Sequence, residues 1–195
     1  MSERAVERMG ADEFLEWHLA QEQRYELVDG VPVAMAGAKR RHDRVVVNAI
    51  AALAGQLGTG PCQPFTSDTA VRIPNGNIRY PDAGIDCGTF NDGATWADAP
   101  TLVIEVLSES TRAFDLTRKL EEYKTVPSLN HIVFVGLDAP EIVHWHRESA
   151  RSWESEVVEG LEAAVSMADF GLRVPLAALY AGLEFQQRFR LVRCE

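Results

Sequence analysis

The chain has 195 residues, 46% of them hydrophobic and 25% charged, with a mean hydropathy of -0.13. That balance fits a folded chain of ordinary size and excludes wholesale disorder, and no apolar run reaches the roughly 20 residues of a membrane helix. Twenty-nine acids against nineteen bases give a net charge of -10, which argues against a general nucleic-acid coat protein.

The one basic segment is compact: residues 38–60 hold four bases and one acid, all within Lys39–Arg44. The amino-terminal string MSERAVERMGADEF lacks the apolar core of a signal peptide. Cys62, Cys87 and Cys194 are odd in number and widely spaced, which predicts neither a disulfide framework nor a zinc knuckle. The expected compartment is a reducing cytoplasm.

In chain order, residues 11–22 place Phe14, Leu15 and Leu19 on one helical stripe, with Asp12 as its cap. RYELVDGVPVAMA reads as two strands joined at Asp29-Gly30. HDRVVVNAIAALAGQLG is an amphipathic helix with apolar positions 45, 46, 49, 50, 53 and 57, ended by Gly58 and Gly60. Short strands follow near Thr69–Ile73 and Tyr80–Cys87, then a Gly/Asp/Asn-rich loop from Gly88 to Pro100. TLVIEVLS is a nearly continuous apolar run and predicts a central strand buried on both faces. A helix over Thr111–Tyr123, strands at His131–Gly136 and Glu141–His146, and the apolar segment VPLAALYAGL complete the pattern. The elements predict a single α/β domain, with a helix and hairpin over about 11–37, a core over about 41–147, and strands with a short helix over about 153–185.

Glu105 is the informative residue, because a carboxylate inside TLVIEVLS needs a partner or a metal. Tyr80-Pro81-Asp82 puts a second acid at the head of a strand some twenty residues earlier. Two carboxylates converging from strands make a hard-oxygen site suited to Mg²⁺ or Mn²⁺. Asp115 and Lys119, four apart, share a helix face: that spacing alone favours a surface ion pair, whereas a face folded back over the sheet brings Lys119 to those carboxylates, with Tyr123 one turn later. His144 and His146 put two imidazoles on one strand face without a third ligand in register. Ser108 and Ser110 have no adjacent His-Asp pattern, and no phosphate-cradling glycine string occurs. Trp96 and Trp153 are packing residues first and base-stacking residues second.

YELVDG at 25–30, the PD pair at 81–82 and EVLSESTRAFDLTRKLEEY at 105–123 together resemble the restriction endonuclease family labelled Uma-two, within the PD-(D/E)XK nuclease superfamily. The resemblance runs from about Asp12 to Leu183. It implies a restriction-endonuclease-like core, a mixed sheet flanked by helices, and metal-dependent hydrolysis of DNA. Asp82 and Glu105 then match the two metal-binding acids, with the Val106 carbonyl as a further ligand. The superfamily lysine two residues after the acid is Leu107 here, and Lys119 resembles the migrated substitute that the family carries on the following helix. Glu26 and His42 match accessory positions, with Lys39, Arg40 and Arg41 beside His42 as phosphate-binding bases. A homodimer fits cleavage of both strands. The charge of -10 and Leu107 motivate the alternative, a catalytically inactive nuclease fold that binds nucleic acid or a partner. A third reading is a structural module in which Glu105, Asp115 and Lys119 form a buried ion-pair network.

Overall fold

TLVIEVL forms the strand that organises the rest. The computed structural model describes residues 8–107 and 115–185, and places Pro100–Leu107 at the centre of a six-stranded sheet, buried along its whole length. In chain order the strands are β1 (Tyr25–Val28), β2 (Val31–Ala34), β3 (Gln63–Thr66), β4 (Val71–Arg72), β5 (Ile78–Arg79), β6 (Ala83–Asp86), β7 (Pro100–Leu107), β8 (His131–Gly136), β9 (Glu141–Ser149), β10 (Ser152–Glu159), β11 (Ala164–Met167) and β12 (Leu172–Pro175). The helices are α1 (Ala11–His18), α2 (Arg40–Leu57), α3 (Leu120–Lys124) and α4 (Leu176–Leu179), with a π-helical turn at Asp115–Lys119 and a 3₁₀ turn at Ala168–Phe170.

The large sheet has the order β10-β9-β8-β7-β6-β3. It is mixed, because β7 pairs with β8 in parallel and with β6 antiparallel. One face packs on α2, β12 and α4. Val45, Ala49 and Leu53, four apart along α2, are buried there with Ile104, Val133 and Val135. The other face carries Val103, Leu107, Ile132 and Phe134 against Leu120 and Tyr123 of α3. A smaller sheet, β2-β1-β5-β4, joins α1 around Phe14, Leu27 and Ile78. The Asp29-Gly30 turn between β1 and β2 has positive φ at both residues, 52° and 79°, as a tight hairpin turn requires.

Two details hold the strands that carry the acids. Gly84 of β6 cannot bear a side chain, since a Cβ there would stand 2.2 Å from the Phe65 ring. Asp86 anchors the loop between β6 and β7 by accepting hydrogen bonds from the N–H groups of Gly88, Asp98 and Ala99 at 2.8–3.0 Å.

Three expectations are corrected. The first helix ends at His18 rather than residue 22, and Gly10, not Asp12, occupies its N-cap. Asp12 instead pairs with Arg72. Cys62 and Cys87 form a disulfide, because they extend the β3–β6 pairing one step past Gln63 and Asp86. That pairing depends on strand register, which cysteine spacing does not reveal. The helix expected over Thr111–Tyr123 is a π-helical turn leading into a short α-helix, while residues 111–114, with Ser108 and Ser110, lie outside the described residues.

Candidate active site

Asp82 immediately precedes β6, and continuing the Ala83–Ile104 register sets it across from Glu105 of β7. Its Oδ2 accepts a hydrogen bond from the Val106 N–H at 2.7 Å and lies 3.2 Å from His42 Nε2 on α2. Strand alternation turns Glu105 to the face of Val103 and Leu107, where Lys119 and Tyr123 meet it. Lys119 Nζ donates to both Glu105 oxygens at 3.1 Å, and the Tyr123 hydroxyl donates to Oε1 at 2.6 Å. Of the two predicted acids Lys119 thus meets Glu105, and a π-helical turn delivers it. Lys119 is 7% exposed, so this is a buried contact and not a surface pair.

Glu26 of β1 joins the cluster from the smaller sheet. Its Oε1 lies 3.2 Å from Lys119 Nζ and accepts from the Tyr80 N–H at 3.3 Å, while Oε2 accepts from Arg79 Nη1 at 2.8 Å. Glu26 is 8% exposed, so its carboxylate is turned into the fold and not outward from the hairpin. One lysine thus bridges an acid from each sheet.

Burial alone would lower the His42 pKa, but the Asp82 hydrogen bond and charge, with Glu105 and Asp43, hold it above the usual value. Burial and the charges of Glu105 and Glu26 push the Tyr123 hydroxyl well above its usual pKa, so it stays a proton donor to Glu105.

Other predicted residues separate. Lys39 and Arg40 are exposed at the start of α2. Arg41 is spent elsewhere: it donates to the carbonyls of Leu137 and Glu184 at 3.0 Å and covers the Phe185 ring. The side chain of Asp115 lies outside the described residues. Trp153 packs on the core under Arg147, and Trp96 lies under Arg72 at the surface. His144 is bonded to His131 and Glu156.

The model of a family described as "Putative restriction endonuclease", Uma2, matches residues 11–177. The chain belongs to the Uma2 family. Two proteins of Synechocystis sp., both named as uncharacterized, are similar to it. One is 28% identical over 182 residues, covering 91% of this chain and 94% of its own. The other is 26% identical over 162 residues, covering 81% and 92%. A crystal structure described as a "putative nuclease belonging to DUF820", from Anabaena variabilis, shares the fold. Its TM-score is 0.71 at 16% identity, covering 88% of this chain and 97% of that one.

This Uma2 chain backs its acids with a buried network that its sequence does not announce. Arg79, fully buried, donates from Nε to Glu122 Oε2 at 2.6 Å and from Nη1 to Glu26. Glu122 also accepts from Asn77 at 2.8 Å and from Arg118 at 3.1 Å. Burial would raise the Glu122 pKa, but Arg79, Arg118 and Asn77 hold it below the ordinary carboxylate value. The available signal was Arg79 itself, a cation between Ile78 and Tyr80 just ahead of the PD pair.

The histidines set a pH dependence. Burial holds His18, His131 and His144 below the usual imidazole value, outweighing the pull of Asp169 and Glu156 on the last two. The unfolded chain therefore takes up protons near pH 6.5 that the folded chain resists. Stability should be full above that pH and decline as the pH falls through the lowered folded values. His42, raised, contributes in the opposite direction and offsets part of the slope. Urea unfolding between pH 5 and pH 7.5 checks this. Replacing His131 and His144 together by glutamine should flatten the decline, and an equal slope in that variant would refute the assignment.

Proposed function

We propose that the chain is a metal-dependent endonuclease that hydrolyses DNA phosphodiester bonds at Asp82 and Glu105. The observation that carries this reading is an acid, Asp82, in register opposite a second acid, Glu105, whose carboxylate is held by a buried lysine. The donor set fits a hard divalent ion such as Mg²⁺ or Mn²⁺. Asp82 has one oxygen, Oδ1, with no hydrogen-bond partner among the described residues. A strand residue aims its N–H and C=O at the same neighbour, so the Val106 carbonyl faces the Asp82 side of β7. Asp82, Glu105 and that carbonyl would hold the ion. When bound, such an ion lowers the pKa of water and offsets charge on a phosphate.

The chain's own groups do the rest. Lys119 holds the Glu105 carboxylate in one orientation and sets a positive charge where a phosphodiester gains negative charge. Tyr123 donates a further hydrogen bond to Oε1 of the same carboxylate. His42, held protonated more readily by Asp82, is placed to contact phosphate or give a proton to the leaving oxygen. Lys39 and Arg40 extend that side with exposed positive charge, and a homodimer would supply the two sites that a double-strand cut needs.

Calorimetric titration of Mn²⁺, followed by plasmid nicking, tests the reading. Binding and nicking in the parent that are both lost in Asp82→Ala and in Glu105→Ala are the expected result. Parent-like nicking in the folded double variant would overturn it.

A further inference from the structure

A second group of metal-ligating side chains lies at the far edge of the large sheet, outside the Asp82–Glu105 cluster. Strand alternation puts His144, His146 and Glu148 on one face of β9. The antiparallel registers set Glu154 of β10 directly across from His146, and Glu156 across from His144.

The inner imidazole is already committed. His144 Nε2 lies 2.9 Å from His131 Nδ1, and its Nδ1 lies 3.0 Å from Glu156. His146 differs. Its side chain is 34% exposed, and Nε2 lies 3.9 Å from Glu148 Oε2 and 3.9 Å from Glu154 Oε2. Those separations are too long for hydrogen bonds. They suit donors that share an ion, since ligands bound at about 2.0–2.2 Å stand roughly 3–4 Å apart around it. The three ligand atoms lie within 4.8 Å of one another.

The charges point the same way. Two carboxylates gathered on one imidazole repel each other. Among the described residues neither has a lysine or arginine partner.

We propose that His146, Glu148 and Glu154 form a transition-metal site of one nitrogen and two oxygens, distinct from the acid pair at Asp82 and Glu105. The imidazole selects Zn²⁺, Co²⁺ or Ni²⁺ over Mg²⁺, for which oxygen-only donors suffice. With three protein ligands a tetrahedral ion keeps one position for water or another donor. Two ligands come from β9 and the third from β10, so the ion ties the two strands together beside the hairpin turn at residues 150–151. The site stands whether or not the chain is a nuclease.

The test is calorimetric titration of Zn²⁺ into the full chain in excess Mg²⁺, which occupies the oxygen-only site. The parent and the Asp82→Ala/Glu105→Ala double variant should bind Zn²⁺ alike. His146→Gln should weaken binding by about tenfold or more, the loss that even an indirect partner of a metal ligand commonly brings. Glu154→Gln, isosteric and exposed, should do the same with an unchanged fold, and Zn²⁺ should raise the melting temperature of the parent but of neither variant. Parent-like Zn²⁺ binding in both variants, no Zn²⁺ binding by the parent, or its loss in the Asp82/Glu105 double variant would overturn the proposal.

Discussion

Replacing Arg79 with methionine is expected to cost about 3–5 kcal/mol of stability, the scale for breaking a buried ion pair by removing one partner. That is a large share of the roughly 5–15 kcal/mol that holds a domain folded. Arg79 is fully buried and serves two acids, Glu122 at 2.6 Å and Glu26 at 2.8 Å. Without its guanidinium, Glu26 is left with Lys119 and the Tyr80 N–H, and Glu122 with Arg118 and Asn77. Urea unfolding measures the loss as a lower midpoint at an unchanged slope.

The acid limb gives an independent check. Because Arg79 helps hold the Glu122 pKa below its ordinary value, that pairing contributes stability above pH 4.5 and loses it as the pH falls through the lowered value. The variant should show a shallower acid limb. A total loss within about 1 kcal/mol, the range of exposed ion pairs, would refute the role assigned to Arg79.

What the sequence disclosed follows from how local each signal is. Asp29-Gly30, the four-residue spacing in α2 and the apolar run of β7 are contiguous patterns, and each became the expected element. Glu105 stood out because a single charge interrupted an otherwise apolar strand, so its environment was legible even though its partners were not. Asp82 was legible only through its distance from Glu105 and the family resemblance. Arg79 and Glu122 are 43 residues apart, and their bond exists only because β5 of the small sheet ends against α3. Cys62 and Cys87 are hidden in the same way, since only the β3–β6 register brings them together. Arg41 shows how little a local string reveals of a side chain's partners. It belongs to a basic string that suggests a phosphate surface, yet two distant carbonyls claim it.

Lys119→Met is expected to separate ion binding from cleavage. The lysine ammonium sits 3.1 Å from both Glu105 oxygens and 3.2 Å from Glu26, where it neutralises the charge that would attract a divalent ion. Removing it leaves a less shielded Glu105 carboxylate that still accepts the Tyr123 hydrogen bond. Mn²⁺ affinity should therefore be retained or rise, because a like-charged neighbour of the ion has been removed. Nicking of supercoiled plasmid at saturating Mn²⁺ should nevertheless slow by about 10²–10³-fold, the scale for losing one preorganised electrostatic group. Glu105→Gln keeps the shape of the side chain but should lose both binding and nicking. If Lys119→Met cleaves at the parent rate, Lys119 is a buried counter-ion that steadies Glu26 and Glu105 and takes no part in the reaction. If it loses Mn²⁺ binding together with cleavage, the lysine acts by holding Glu105 in position, and the charge it adds beside the phosphate is not what the reaction needs.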